Sequence, residues 1–258
     1  MKSGRLRFGP EETSEEAVKA DFSTTQWSRV LSARDGSDSE ARRALESLCQ
    51  TYWYPLYVFV RRQGYDQDVA RDLTQAYFAE LLEKNFLKDV EPGLGRFRSF
   101  LLASLKHFLT HERDRAKALK RGGGAQTISL EATTTDPYYP DTATDHLTPE
   151  ELFERQWALT VLDRAMERVR QDAHKSGGNA QFETLKPHLT GGTGRTSYKR
   201  VAIELALSEG AVRAAVLRLR KRYGKALRTE IAETVADPSE IDDEIRRLLS
   251  VIRPWQGV

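Results

Sequence analysis

YKRVAIELALSEGAVRAAVLRLRKRY, Tyr198 to Tyr223, is the stretch from which the fold is read. Tyr198–Ala206 predicts a short helix, a tight turn follows, and Ser208 opens a longer second helix. A serine oxygen accepts a hydrogen bond from the free N–H groups of a first helical turn, and Glu209 suits the positive end of the helix. Ala202 is small where two helices joined by so short a turn must approach. Val212, Val216 and Leu219 recur at helical spacing and give the second helix an inward face. Arg213, Arg218, Arg220, Lys221 and Arg222 are left outward. The expectation is a helix-turn-helix. In that motif the first residues of the second helix meet base edges and the later ones meet phosphates. Ser208, Glu209, Arg213, Arg218, Arg220 and Arg222 are therefore candidate DNA contacts.

Outward from this stretch the chain is helical throughout. Its 258 residues, 39% apolar and 30% charged, are enough for one large or two ordinary domains with a real core. Trp27–Ala33 predicts a short opening helix, and Leu45, Leu48, Tyr52, Leu56, Phe59 and Val60 predict a long one ending near Gly64. Asp66 can cap the next, where Val69, Leu73, Tyr77 and Leu81 fall on one stripe. Helical pattern resumes at Pro149 and runs to about Asp172, with a short helix before Pro187 and an acidic one after Pro238.

The net charge of +2 conceals a strong pattern. Arg96–Arg121 holds eight Lys or Arg against two acids, and Ser197–Arg228 holds nine against two. Between them, Gly122–Glu151 has six acids and no Lys or Arg, and the tail beyond Arg228 has seven acids against three Arg. Two basic blocks separated by an acidic segment suit a polyanion gripped at two places. In the first block, Phe97, Leu101, Leu105 and Phe108 form a core stripe, widened by Phe100 and Leu102. Lys106, Thr110, Arg113, Lys117 and Lys120 line another face, from which cations can track a phosphate backbone. Arg96 and Arg98 beside Phe97 and Phe100 offer cations and π faces together, which unstacked bases require.

Several classes are set aside. No run approaches the roughly 18 apolar residues of a membrane span. The first twenty residues lack the apolar core of a signal peptide, so a cytoplasmic location is expected. Cys49, the lone cysteine, reads as a buried thiol. His107 and His111 are spaced i, i+4, but Phe108 stands where a zinc peptidase has its glutamate, so no metal is expected. RGGGAQ lacks the lysine of a phosphate-binding loop, and no nucleophile–base pair is visible. We expect no enzyme, no cofactor and no small-molecule substrate.

With both blocks placed, the chain resembles bacterial RNA polymerase sigma factors of the extracytoplasmic-function type. Asp72-Leu73-Thr74-Gln75 followed by Phe78 is similar to that family's DLxQxxF motif, and SEGAVRAAVLRLRKR to its SEGTVKSRLxRARKR helix. The resemblance covers roughly residues 45–121 and 152–230. It implies an all-α fold of two helical domains joined by a flexible acidic linker, the second containing the helix-turn-helix. The expected division is a flexible extension at 1–24, a polymerase- and −10-binding domain at 25–121, the linker at 122–151, a −35-binding domain at 152–236 and an acidic helical extension at 237–258. It also implies that Asp72, Leu73, Gln75 and Phe78 bind core polymerase. Arg96, Phe97, Arg98, Phe100, Lys106, His107, Arg113 and Lys117 would bind and melt −10 DNA, and the second-helix residues named above would read the −35 element. Core RNA polymerase and promoter DNA are the implied partners, with an anti-sigma protein left open as a further one. Ala206 stands where the family commonly has a turn glycine, and Ala214 and Ala215 replace larger polar residues. A helix-turn-helix regulator that binds duplex DNA without polymerase is the competing expectation.

Overall fold

The computed structural model describes residues 39–83, 97–120, 147–189, 197–235 and 237–252. The predicted helix Trp27–Ala33, the extension at 1–24, Arg96 and residues 122–146 of the linker lie outside these. The described residues form eight α-helices and no strand. In order they are α1 (Ser39–Arg62), α2 (Gln67–Glu83), α3 (Phe97–Lys120), α4 (Pro149–Lys175), α5 (Asn179–Leu185), α6 (Tyr198–Glu204), α7 (Glu209–Ala232) and α8 (Ile241–Ile252). Single 3-10 turns at Lys186–His188 and Pro238–Glu240 follow α5 and precede α8. None of the described helices is long and apolar enough to cross a membrane.

Helix ends follow local chemistry. α1 stops at Gly64, whose φ of +90° only glycine adopts without strain. Asp66 caps α2 as expected, its Oδ1 accepting from Val69 N–H at 2.8 Å. α4 opens on a complete capping box. Thr148 Oγ1 accepts from Glu151 N–H, the Glu151 carboxylate accepts from Thr148 N–H, and Pro149 takes the first helical position. Glu150 and Glu151 form the acidic first turn of this helix, which starts at Pro149 as its pattern predicts.

α4 is the centre of the molecule, packing on α1, α7 and α8. Phe153, Trp157, Val161, Ala165, Val169 and Ala173 are all buried along it. A four-residue step overshoots one turn by about 40°. The apolar stripe therefore winds around α4 and meets different neighbours along its length. Near its start, Trp157 Nε1–H donates to Tyr52 Oη of α1 at 3.0 Å. Further on, Arg164 and Arg168 clamp the buried Glu230 of α7 at 3.0 and 2.6 Å. Buried residues from Cys49 to Leu248 accordingly form one continuous apolar cluster. The expected division at residue 151 coincides with no break in that cluster, and the expected acidic extension contributes Ile241 and Leu248 to it. Periodicity told us that α4 has an apolar face; it could not tell us how many neighbours share it.

Two further expectations change. Val69 is exposed rather than on the inner stripe of α2; Ala70, Thr74, Tyr77, Phe78 and Leu81 are buried instead. Thr74 fits there because its hydroxyl donates to Ala70 O at 2.7 Å. Arg98, read as facing DNA, is 1% exposed. Its Nε lies 3.0 Å from both oxygens of Glu154, its Nη1 pairs with the buried Glu244 of α8, and its guanidinium carbon sits 4.5 Å over the Trp157 ring. Burial pulls the Arg98 pKa below its ordinary value, opposed mainly by the charge of Glu154.

A buried ion pair gains little over a good apolar replacement, but removing one partner strands the other. Arg98→Met should cost about 3–5 kcal/mol in urea unfolding, and adding Glu244→Leu should recover part of it. A wild-type midpoint for Arg98→Met would show that the ion pairs hold nothing. Burial, and secondarily Glu46, push the Cys49 thiol up to about 12. In the native chain at pH 8 it should react with a disulfide reagent on the order of a hundredfold or more slower than in urea.

Candidate nucleic-acid interface

Two helical faces carry the outward cations. On α3, Phe97, Leu101, Leu105 and Phe108 point into the core as expected, with Phe100. Lys106, His107, Thr110, Arg113 and Lys117 are exposed. Lys106 is held 2.6 Å from Glu150 of α4. Its charge also depresses the Glu150 pKa, first through their hydrogen bond. Arg113 Nε donates to Tyr65 Oη at 2.8 Å, and its guanidinium lies 5.4 Å from the centre of that ring. Tyr65 was not anticipated. Its place after Gly64 in the α1–α2 turn becomes meaningful only once α3 packs beside that turn.

The expected aromatic platform for bases is absent from this surface. Phe97 and Phe100 are core residues at 0% and 9% exposure, and Phe97 meets Tyr52 edge-on at 5.2 Å. Phe97 also packs on Phe100, while Arg98 alone reaches Glu154 of α4 and Glu244 of α8. The physical reason is composition: two large rings on the same side as Leu101 and Leu105 gain more from burial than from water. Of the α2 residues, Asp72 and Gln75 are exposed, Leu73 is half-buried and Phe78 is a core residue.

The second face lies on α7, behind the turn from α6. Leu205 ends α6. Leu207 N–H then donates to Ala202 O at 2.9 Å, and Ala206 N–H to Ile203 O at 3.2 Å. This six-to-one plus five-to-two pair places Ala206 in the left-handed region at φ +51°. Ser208 caps α7 as expected, accepting from Ala211 N–H at 3.2 Å. Ala202, Val212, Val216 and Leu219 are buried between the helices and the rest of the core, also as expected.

Outward on α7 stand Glu209, Arg213, Arg218, Arg220, Lys221 and Arg222. Arg213 is 3.9 Å from Glu209, one turn earlier, too far for a hydrogen bond. Arg220 is partly committed, donating to His188 O at 2.9 Å. Arg218, Lys221 and Arg222 form no ion pair among the described residues. Arg218 and Arg222 also edge a groove of about 240 Å³ floored by Val169, Phe182, Leu185 and Leu219. The arrangement is a set of long cations spread around the solvent side of one helix, suited to meeting several phosphates. His107 and His111 are exposed one turn apart on α3, and no cluster of three or more metal-ligating side chains occurs among the described residues.

An alanine in the left-handed region carries a steric cost that glycine lacks. Ala206→Gly should raise stability by about 0.5–1 kcal/mol and the melting temperature by a few degrees. A lowered melting temperature would mean that the turn is not held in this conformation. No family model, no curated protein and no solved structure matches this chain.

Proposed function

We propose that the chain is a sigma-type transcription initiation factor, with α7 as the helix that reads duplex promoter DNA. One observation carries this reading: the cations of α7 stand outward behind a tight, capped turn from α6. That is the geometry a helix-turn-helix presents to a major groove. Supporting it, Asp72 and Gln75 of the polymerase-like motif are exposed and free to meet a protein partner. On this reading Phe97, Arg98 and Phe100 form the scaffold behind the first DNA face. Contacts to the −10 region then belong to Lys106, His107, Arg113 and Lys117. The cytoplasm is the place such a factor works, and it uses no cofactor or small-molecule substrate.

A second reading is favoured by the shared core. Because α4 ties both halves together, the molecule also suits a regulator that binds duplex DNA as one body, without polymerase. Core bacterial polymerase separates the two. Under the first reading, immobilised full-length chain captures core enzyme, and the mixture yields run-off transcripts from fragments with a common bipartite pattern. Duplex binding with no affinity for core enzyme would leave the regulator.

Within either reading the cations divide by position. Arg213→Ala, early in α7, should cost about 1–3 kcal/mol at one base position and relax selectivity there. Arg222→Ala should weaken binding evenly across sequences and lower the salt dependence by about one counterion. Anisotropy titrations over a series of salt concentrations measure both. Identical behaviour of the two variants would dissolve the division between base and phosphate contacts.

A further inference from the structure

Leu217 breaks the pattern of α7. It is 56% exposed on a helix whose other bulky apolar residues near it, Val212, Val216 and Leu219, are buried. At 100° per residue it falls within about 40° of both Arg213 and Lys221, each one turn away, with Ala214 beside it and Arg218 following it. All of these neighbours are exposed. The outward face of the first half of α7 therefore carries one large apolar side chain ringed by cations. It lies about 12 Å along the helix from Glu209, a length comparable to the width of a major groove.

The same line of the helix holds Gly210 and Gly224. Neither has positive φ, and a Cβ would meet nothing closer than Ser208 Oγ at 3.9 Å for Gly210 and nothing within 4 Å for Gly224. Packing within the chain thus requires neither glycine, although Gly224, in the helix interior, costs about 1 kcal/mol relative to alanine. They leave the backbone open to close approach by a partner lying along this face.

The surrounding cations choose that partner's charge. An apolar protein surface over Leu217 would have to desolvate Arg213, Arg218 and Lys221 without pairing them, which is costly. A polyanion pairs them and leaves Leu217 in need of an apolar contact. The major groove offers one apolar group, the 5-methyl of thymine. We infer that Leu217, with the Ala214 methyl beside it, reads thymine methyl groups in the duplex that α7 enters. This rests on the DNA-binding reading above and names the base class that the site selects.

The test begins with selection of bound duplexes from a random library by the full-length chain. Each thymine of the selected duplex is then replaced in turn by deoxyuridine, which removes only the methyl. For the wild type, one or two replacements should weaken binding about three- to fivefold, the worth of one buried methyl. Leu217→Ser, a change at an exposed position, should bind with unchanged salt dependence and no longer distinguish thymine from deoxyuridine. Salt-dependent binding by the wild type that no deoxyuridine alters, or a selected duplex without a common thymine, would overturn the inference while leaving the DNA reading intact. Discrimination that persists in Leu217→Ser would overturn the assignment to that residue. No salt-dependent duplex binding at all would overturn the DNA reading itself and the inference with it.

Discussion

The guanidinium of Arg98 sits at the junction of three helices with almost no access to water. Glu154 of α4 takes its Nε, Glu244 of α8 takes its Nη1, and Trp157 closes one face. Taking one charge out of water costs several kcal/mol; a charge met by two carboxylates and a ring is tolerable only where all are held in place. α3, α4 and α8 are thereby fixed in one mutual arrangement. Arg247 of α8 also reaches Glu154 at 3.4 Å, and Phe97 N–H reaches Thr234 O at 3.3 Å.

One consequence is the division of labour among the basic residues. Of the first block, Arg98 is spent on the core, whereas Lys106, Arg113 and Lys117 stay at the surface. Of the second, Arg220 is tethered to a carbonyl and Arg228 to Asp242 of α8 at 2.6 Å, while Arg218, Lys221 and Arg222 project freely. The acidic helix expected at the end of the chain, α8, packs on α4 and α7. Glu244 meets the buried Arg98 of α3 and Asp242 the exposed Arg228 of α7, and the apolar side of the same helix, Ile241 and Leu248, covers the core.

The two candidate faces differed in how readily they could be read. On α7 the cap, the buried stripe and the exposed cations are as expected, because the Ser208 cap, the Val212–Val216–Leu219 stripe and the outward side chains all depend on spacing within one helix. Ala206 was recognised as unusual, and it is the residue found in the left-handed region. Leu217 has no such local signal, since a leucine at helical spacing reads as core until its neighbours fail to cover it. On α3 the stripe was equally legible, but the residues at its start were not. Phe97 and Phe100 beside Arg96 and Arg98 look the same in sequence whether they await bases or are buried in the core.

By itself the sequence determined the helices, most of their caps and ends, and which side of each is apolar, because these follow from interactions within about four residues. Only the tertiary structure decided which apolar sides share a core and which charges enter it. An arginine reads as exposed because burial of a lone charge is prohibitive. That reading changes only when carboxylates from distant positions, Glu154 and Glu244, arrive beside it. The same holds for α4, whose stripe is periodic in sequence but whose slow winding around the helix gains meaning only from the neighbours it meets.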